Sequence, residues 1–155
     1  MNKIMFLGFT IWLAYSAAIE TRAQAKPDLV VSKVGITKDA SGFLMDKISV
    51  TVANLCRESQ AATSSYVMIT FKQNSQKGAK AIFYVGNTVK ALKGGESYTQ
   101  TFDVAEKKIG VGRHVLVEAD PYKKVSEASE NNNWRTLFPD GAGTLPNENQ
   151  CSPKR

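Results

Sequence analysis

Lys47-Ile48-Ser49-Val50-Thr51-Val52-Ala53-Asn54 alternates at every step. Ile48, Val50 and Val52 fall on one side of an extended chain, and Ser49, Thr51 and Ala53 fall on the other. A helix would scatter these β-branched residues around its axis, whereas successive strand side chains point to opposite faces. The segment therefore reads as a half-buried strand, and such a strand commits the chain to a sheet with one covered face.

The period of two returns on both sides of this stretch. Residues 28–37 (DLVVSKVGIT) form an opening strand in two short halves. Residues 66–72 (YVMITFK) place Val67, Ile69 and Phe71 inward. Residues 81–85 (AIFYV) lead into 88–92, and residues 97–104 (SYTQTFDV) alternate again. In residues 113–120, Val115, Val117 and Ala119 share a face, and residues 134–138 close the series with Trp134 read as a core residue. Between the runs lie Asp39-Ala40-Ser41-Gly42, Asn74-Ser75-Gln76-Lys77-Gly78, Gly94-Gly95 and Gly110-Val111-Gly112, all turn chemistry. No segment after residue 25 carries an amphipathic helical period. Seven short strands with regular turns predict an all-β fold, a seven-stranded antiparallel immunoglobulin-like β-sandwich.

The ends of the sequence set the compartment. Lys3 precedes an apolar run over residues 4–19, followed by a short polar stretch and Ala23-Gln24-Ala25. That order is the pattern of a secretory signal peptide with a small-residue cleavage site. A membrane anchor would need about 20 apolar residues. Residues 1–25 are thus expected to be removed, leaving a domain over 26–138 and an extended, polar tail over 139–155. Secretion or residence in a periplasm follows, with no membrane span after cleavage. Loss of Lys3, Glu20 and Arg22 takes the formal net charge from +6 to +5. The cations are dispersed, which argues against nucleic-acid binding and leaves weak attraction to anionic envelope polymers.

Cys56 and Cys151 are the two cysteines. In an exported protein an even pair favours one intramolecular disulfide, which would tie the tail back to the domain. Two thiols or an intermolecular bridge are the competing readings.

The order of several short motifs resembles the CARDB family, an immunoglobulin-like domain of bacterial surface and secreted proteins. The residues that carry the resemblance are Pro27-Asp28-Leu29-Val30-Val31, the alternating run 48–54, Val89-Lys90-Ala91-Leu92 with Gly95-Glu96-Ser97, and Ala119-Asp120-Pro121 followed by Val125, Glu127, Glu130 and Asn131-Asn132-Asn133. Together they span most of the chain after residue 26. The family pattern has a small residue near Cys56, and the strand around 112–120 is one residue short of its common spacing. The resemblance implies a seven-stranded module found in adhesins and secreted enzymes, and it implies no reaction.

Asp120, Glu127, Glu130 and Asn131–Asn133 concentrate oxygen donors in one inter-strand stretch. Calcium takes 6–8 oxygen ligands and suits such groups, so Asp120, Glu127, Glu130 and Asn132 are the candidate ligands. The sequence favours the plainer alternative, in which these groups cap turns and hold backbone amides in a long loop. Calcium is the one cofactor the residue types suit; otherwise none is expected. His114 is the single histidine and lacks a recognisable catalytic partner. Paired carboxylates such as Asp120 with Glu127 would need a sugar-holding cleft to act as a glycosidase. No enzymatic activity is expected. Tyr84, Tyr98 and Tyr122 are candidate ligand-contact aromatics, against cross-strand packing as the alternative. The leading functional reading is a non-enzymatic binding or adhesion module for an envelope or extracellular protein or polysaccharide. The alternative is a structural accessory subunit that pairs through an edge strand with an exported assembly. Oligomeric state and ligand identity are open at this level.

Overall fold

The computed structural model describes residues 25–73 and 79–137. Seven strands run β1 (Leu29–Lys38), β2 (Met45–Asn54), β3 (Ser65–Lys72), β4 (Ala81–Val89), β5 (Ser97–Asp103), β6 (Val115–Ala119) and β7 (Trp134–Leu137). One short 3-10 turn, Ala105–Lys107, follows β5. The strands form a three-stranded sheet in the order β1-β2-β5 and a four-stranded sheet in the order β4-β3-β6-β7. Every pairing is antiparallel.

The alternation of the opening stretch does what its chemistry demands. Ile48, Val50 and Val52 are buried beneath the three-stranded sheet, while Thr51 faces outward and meets Thr99 at 2.8 Å between hydroxyls. Opposite them, Val67, Ile69 and Phe71 of β3 and Val115, Val117 and Ala119 of β6 supply the other half of the core. Two pleated faces with one apolar side each can only hide those sides against one another, which is the sandwich.

The opening strand is continuous but slips register between Val31 and Lys33, at Ser32. This β-bulge is the origin of the two halves read in the sequence, because one extra residue reverses the alternation. β4 also runs unbroken through Gly86 rather than as two pieces. A Cβ at Gly86 would lie 2.5 Å from both the Tyr66 ring and the Val67 carbonyl oxygen. Glycine is thus needed there to let the Tyr66 ring lie against the strand.

Trp134 departs from expectation. It pairs with Glu118 on the outward side of β6 and is 42 % exposed, so it is a surface residue of the closing strand. Its neighbours Arg135 and Leu137 point inward; Leu137 packs on the core and Arg135 Nη1 donates to the Ser32 carbonyl at 3.3 Å. Cys56 is fully buried in the β2–β3 connection. Its expected partner Cys151 lies outside the described residues, as do residues 1–24 and the tail. Among the described residues no helix is long and apolar enough to cross a membrane.

Candidate functional site

Two features stand out, a polar cluster at one end of the sandwich and the outer face of the four-stranded sheet. The polar cluster begins where β6 ends. Asp120 adopts a left-handed backbone, φ +46°, which Asp tolerates better than most residues. Its side chain stabilises the turn that follows: Oδ2 accepts from the Val125 N–H at 2.7 Å, and its carbonyl accepts from the Lys123 N–H at 2.9 Å. Its own N–H donates to the Tyr66 carbonyl at 2.8 Å, which ties the turn to β3.

Glu127 then reaches across the domain. Oε2 accepts from the Leu29 N–H at 2.6 Å and Oε1 accepts from Asn133 Nδ2 at 3.0 Å. Asp28 makes the matching contact just before the first strand, its two oxygens accepting from Asn132 Nδ2 at 3.1 Å each. Glu130 Oε1 lies 3.4 Å from the Glu127 N–H. The start of β1 is therefore clamped to the β6–β7 connection by two buried carboxylates.

The sequence-expected calcium set divides along these lines. Glu127 has both oxygens committed to protein donors, whereas Asn132 spends only its Nδ2, on Asp28, and keeps a buried Oδ1 with no partner. Asp120 and Glu130 each keep one buried oxygen with no partner. Both line a cavity of about 90 Å³ together with Asn133, Glu118, Lys123 and Trp134. Among the described residues no three acidic, histidine or cysteine side chains converge as a metal-binding group. Asp28 was missed as a buried carboxylate, because nothing in the local sequence says that its partner lies 104 residues away.

Burial governs the electrostatics. Desolvation pushes the Glu127 carboxyl up to about 8, with the Leu29 N–H pulling it down and Glu130, Asp120 and Asp28 adding repulsion. Burial also raises Asp28, partly offset by its bond from Asn132. A carboxyl that holds its proton in the folded state but loses it near the ordinary value when unfolded destabilises the fold as pH rises. Stability in EDTA-treated buffer is therefore expected to be greatest below pH 4.5 as far as Glu127 is concerned, and to fall between there and about pH 8. Thermal midpoints across that interval check this, with Glu127→Gln expected to flatten the slope.

The second feature is the outward side of β4, β3, β6 and β7. Tyr84 is 70 % exposed there, opposite Thr70, and Trp134 lies across the same face beside Glu118. Tyr122, 60 % exposed, leans on Tyr66 with ring centroids 5.6 Å apart. Met68 and Leu116, both half-buried, lie between on β3 and β6. Desolvation raises the Glu118 carboxyl, and Lys72 on the same face pulls it back down. Tyr98 is elsewhere: it sits opposite Val52, packs on the core, and carries the Lys90 ammonium 5.6 Å from its ring. His114 is half-buried at the head of β6, and its ring nitrogens have no hydrogen-bond partner among the described residues.

No curated protein matches the sequence. Two solved structures share the fold. One is a domain of an inferred cell surface protein from Methanosarcina acetivorans, 21 % identical, with a TM-score of 0.55, covering 79 % of this chain and 95 % of that one. The other is the CARDB domain of a Pyrococcus furiosus protein in complex with di-metal ions, 22 % identical, with a TM-score of 0.52, covering 75 % of this chain and 94 % of that one. At such identities the likeness establishes the fold alone. The CARDB family profile matches residues 26–137, from the clamp at the start of β1 to the last residue of β7, and the chain belongs to the CARDB family.

Proposed function

We propose that the chain is a non-enzymatic binding or adhesion module that acts outside the cytoplasm and recognises a protein or glycan of the cell envelope. The observation that carries this reading is the outer face of the four-stranded sheet. Tyr84, Tyr122 and Trp134 expose large rings on one side of the domain, with Met68 and Leu116 between them. Rings with one dry and one wet edge stack on sugars and anchor protein partners, and they dominate binding energies where they occur. The secretory pattern of residues 1–25 and the inferred cell-surface parentage of one similar structure support the compartment.

A structural accessory role is the second reading. It rests on β4, an edge strand of the four-stranded sheet that carries Ile82 and Tyr84 exposed and could add a strand from another chain.

The test is affinity capture of solubilised envelope proteins and, separately, of envelope polysaccharides by the purified protein. Tyr84→Ala and Trp134→Ala are each expected to weaken binding about fivefold to a hundredfold, the range for interface aromatics. Thr101→Ala, exposed on the opposite sheet, should leave it unchanged. Retention of a protein partner at full affinity by both aromatic variants would favour the accessory reading. Capture of nothing in either arm would remove both.

A further inference from the structure

Four buried oxygens near the end of β6 and the start of β7 have no hydrogen-bond donor: Asp120 Oδ1, Glu130 Oε2, Asn132 Oδ1 and Asn133 Oδ1. Asp120 is 2 % exposed and Asn133 is 7 % exposed, so neither oxygen is served by bulk water. The side chains are not at liberty to turn. Asp120 is held through Oδ2 by the Val125 N–H, Glu130 through Oε1 by the Glu127 N–H, and Asn133 through Nδ2 by Glu127. In each case the committed atom leaves the other oxygen directed elsewhere. A buried acceptor without a donor is costly, more so when it carries charge, and native structures rarely leave several together.

Asp120, Glu130 and Asn133 line the same cavity of about 90 Å³. We propose that this cavity is a site for a divalent cation of calcium's kind, with Asp120 Oδ1, Glu130 Oε2 and Asn133 Oδ1 as its protein ligands. The donor set is all oxygen, two charged and one neutral, with no sulfur or imidazole. That composition selects a hard cation over a transition metal. Three protein oxygens leave about half of the 6–8 positions of a calcium ion to water, which places the affinity with the weak sites of extracellular modules, about 10⁻⁴–10⁻³ M. Lys123, exposed at the same cavity, opposes the ion and keeps the affinity low. The cation joins the end of β6 to the start of β7 across the connection between them. It does so next to Trp134, so occupancy changes the surroundings of an aromatic on the proposed binding face.

Trp134 makes the site self-reporting. The protein is purified as the cell delivers it from a gene carrying Trp12→Phe, which leaves Trp134 as the single tryptophan whatever becomes of residues 1–25. After chelation and dialysis, calcium chloride is titrated while tryptophan emission and the thermal midpoint are followed. The expected result is a saturable emission change with a midpoint of about 0.1–1 mM and a parallel rise in thermal midpoint. Magnesium chloride should give a weaker response, because it demands octahedral geometry and dehydrates reluctantly. Glu130→Gln keeps the contact to the Glu127 N–H and should raise the calcium midpoint at least tenfold. Asp120→Asn should do the same; if it fails to fold, Glu130→Gln decides. No emission or thermal change at about ten times the upper end of that range, or an unchanged midpoint in Glu130→Gln, would mean that ordered water serves these oxygens and would overturn the site.

Discussion

Phe71→Ala is expected to destabilise the fold by about 3–5 kcal/mol, a large share of the ~5–15 kcal/mol that holds a domain of this size together. Phe71 is fully buried in β3, the strand paired on both sides, by β4 and by β6. Its ring stacks on Phe83 with centroids 5.5 Å apart and planes 26° off parallel. The loss therefore combines transfer of the ring to water with a void that neither neighbouring strand can fill without breaking its ladder. Urea unfolding monitored by circular dichroism reads the effect as a lower midpoint at unchanged slope. Phe43→Ala is the matched control: that ring is 77 % exposed in the β1–β2 turn, and its removal should cost less than about 0.5 kcal/mol.

Glu127→Ala is the second large effect, and it works through hydrogen bonds. The substitution strands the Leu29 N–H and Asn133 Nδ2 in a dry interior. An abandoned buried donor costs about 1–3 kcal/mol, so the pair amounts to roughly 2–6 kcal/mol. Glu127→Gln preserves the side-chain shape and an acceptor for the Leu29 N–H, and near neutral pH it replaces a carboxyl that burial already keeps largely protonated. Its cost is expected to be about 1–3 kcal/mol, that of the single Asn133 Nδ2 donor left facing the new amide N–H. Equal destabilisation by both substitutions would show that the clamp depends on charge. Hydrogen exchange at Leu29 separates the cases directly, since only alanine should open that amide.

The sandwich was legible because its signal is local. Ile48, Val50 and Val52, then Val67, Ile69 and Phe71, then Val115, Val117 and Ala119 each declare a buried side within a few residues. Where a strand is too short to declare its own parity, the reading failed. Trp-Arg-Thr-Leu of β7 offers one large apolar residue to each face, and size suggested that Trp134 goes inward. The choice is made by long-range register, Val115 opposite Leu137 and Glu118 opposite Trp134. Tyr98 follows the same rule, carried to the core side by its partner Val52. The donor-rich stretch 120–133 showed its chemistry in the sequence but not its division of labour. Whether an oxygen is consumed depends on Leu29 and Asp28, about a hundred positions away. The outer face was half visible: Tyr84 and Tyr122 were singled out, whereas Met68, Leu116 and Trp134 join them only once the strands are ordered.

The clamp between the start of β1 and the β6–β7 connection also sets the tempo of folding. Asp28 and Leu29 meet partners 104 and 98 residues later in the chain, near the largest separations this domain allows. Such contacts give a high contact order, which places small β-sandwiches among the slow folders, in milliseconds to seconds. During synthesis at about 5–20 residues per second, the interval between the appearance of Asp28 and that of Asn132 is roughly 5–20 s. Throughout it the first strand has its hairpin mate β2 but neither Glu127 nor Asn132 to secure its leading end. A nascent chain of this design cannot latch the leading end of its first strand until almost its last strand exists.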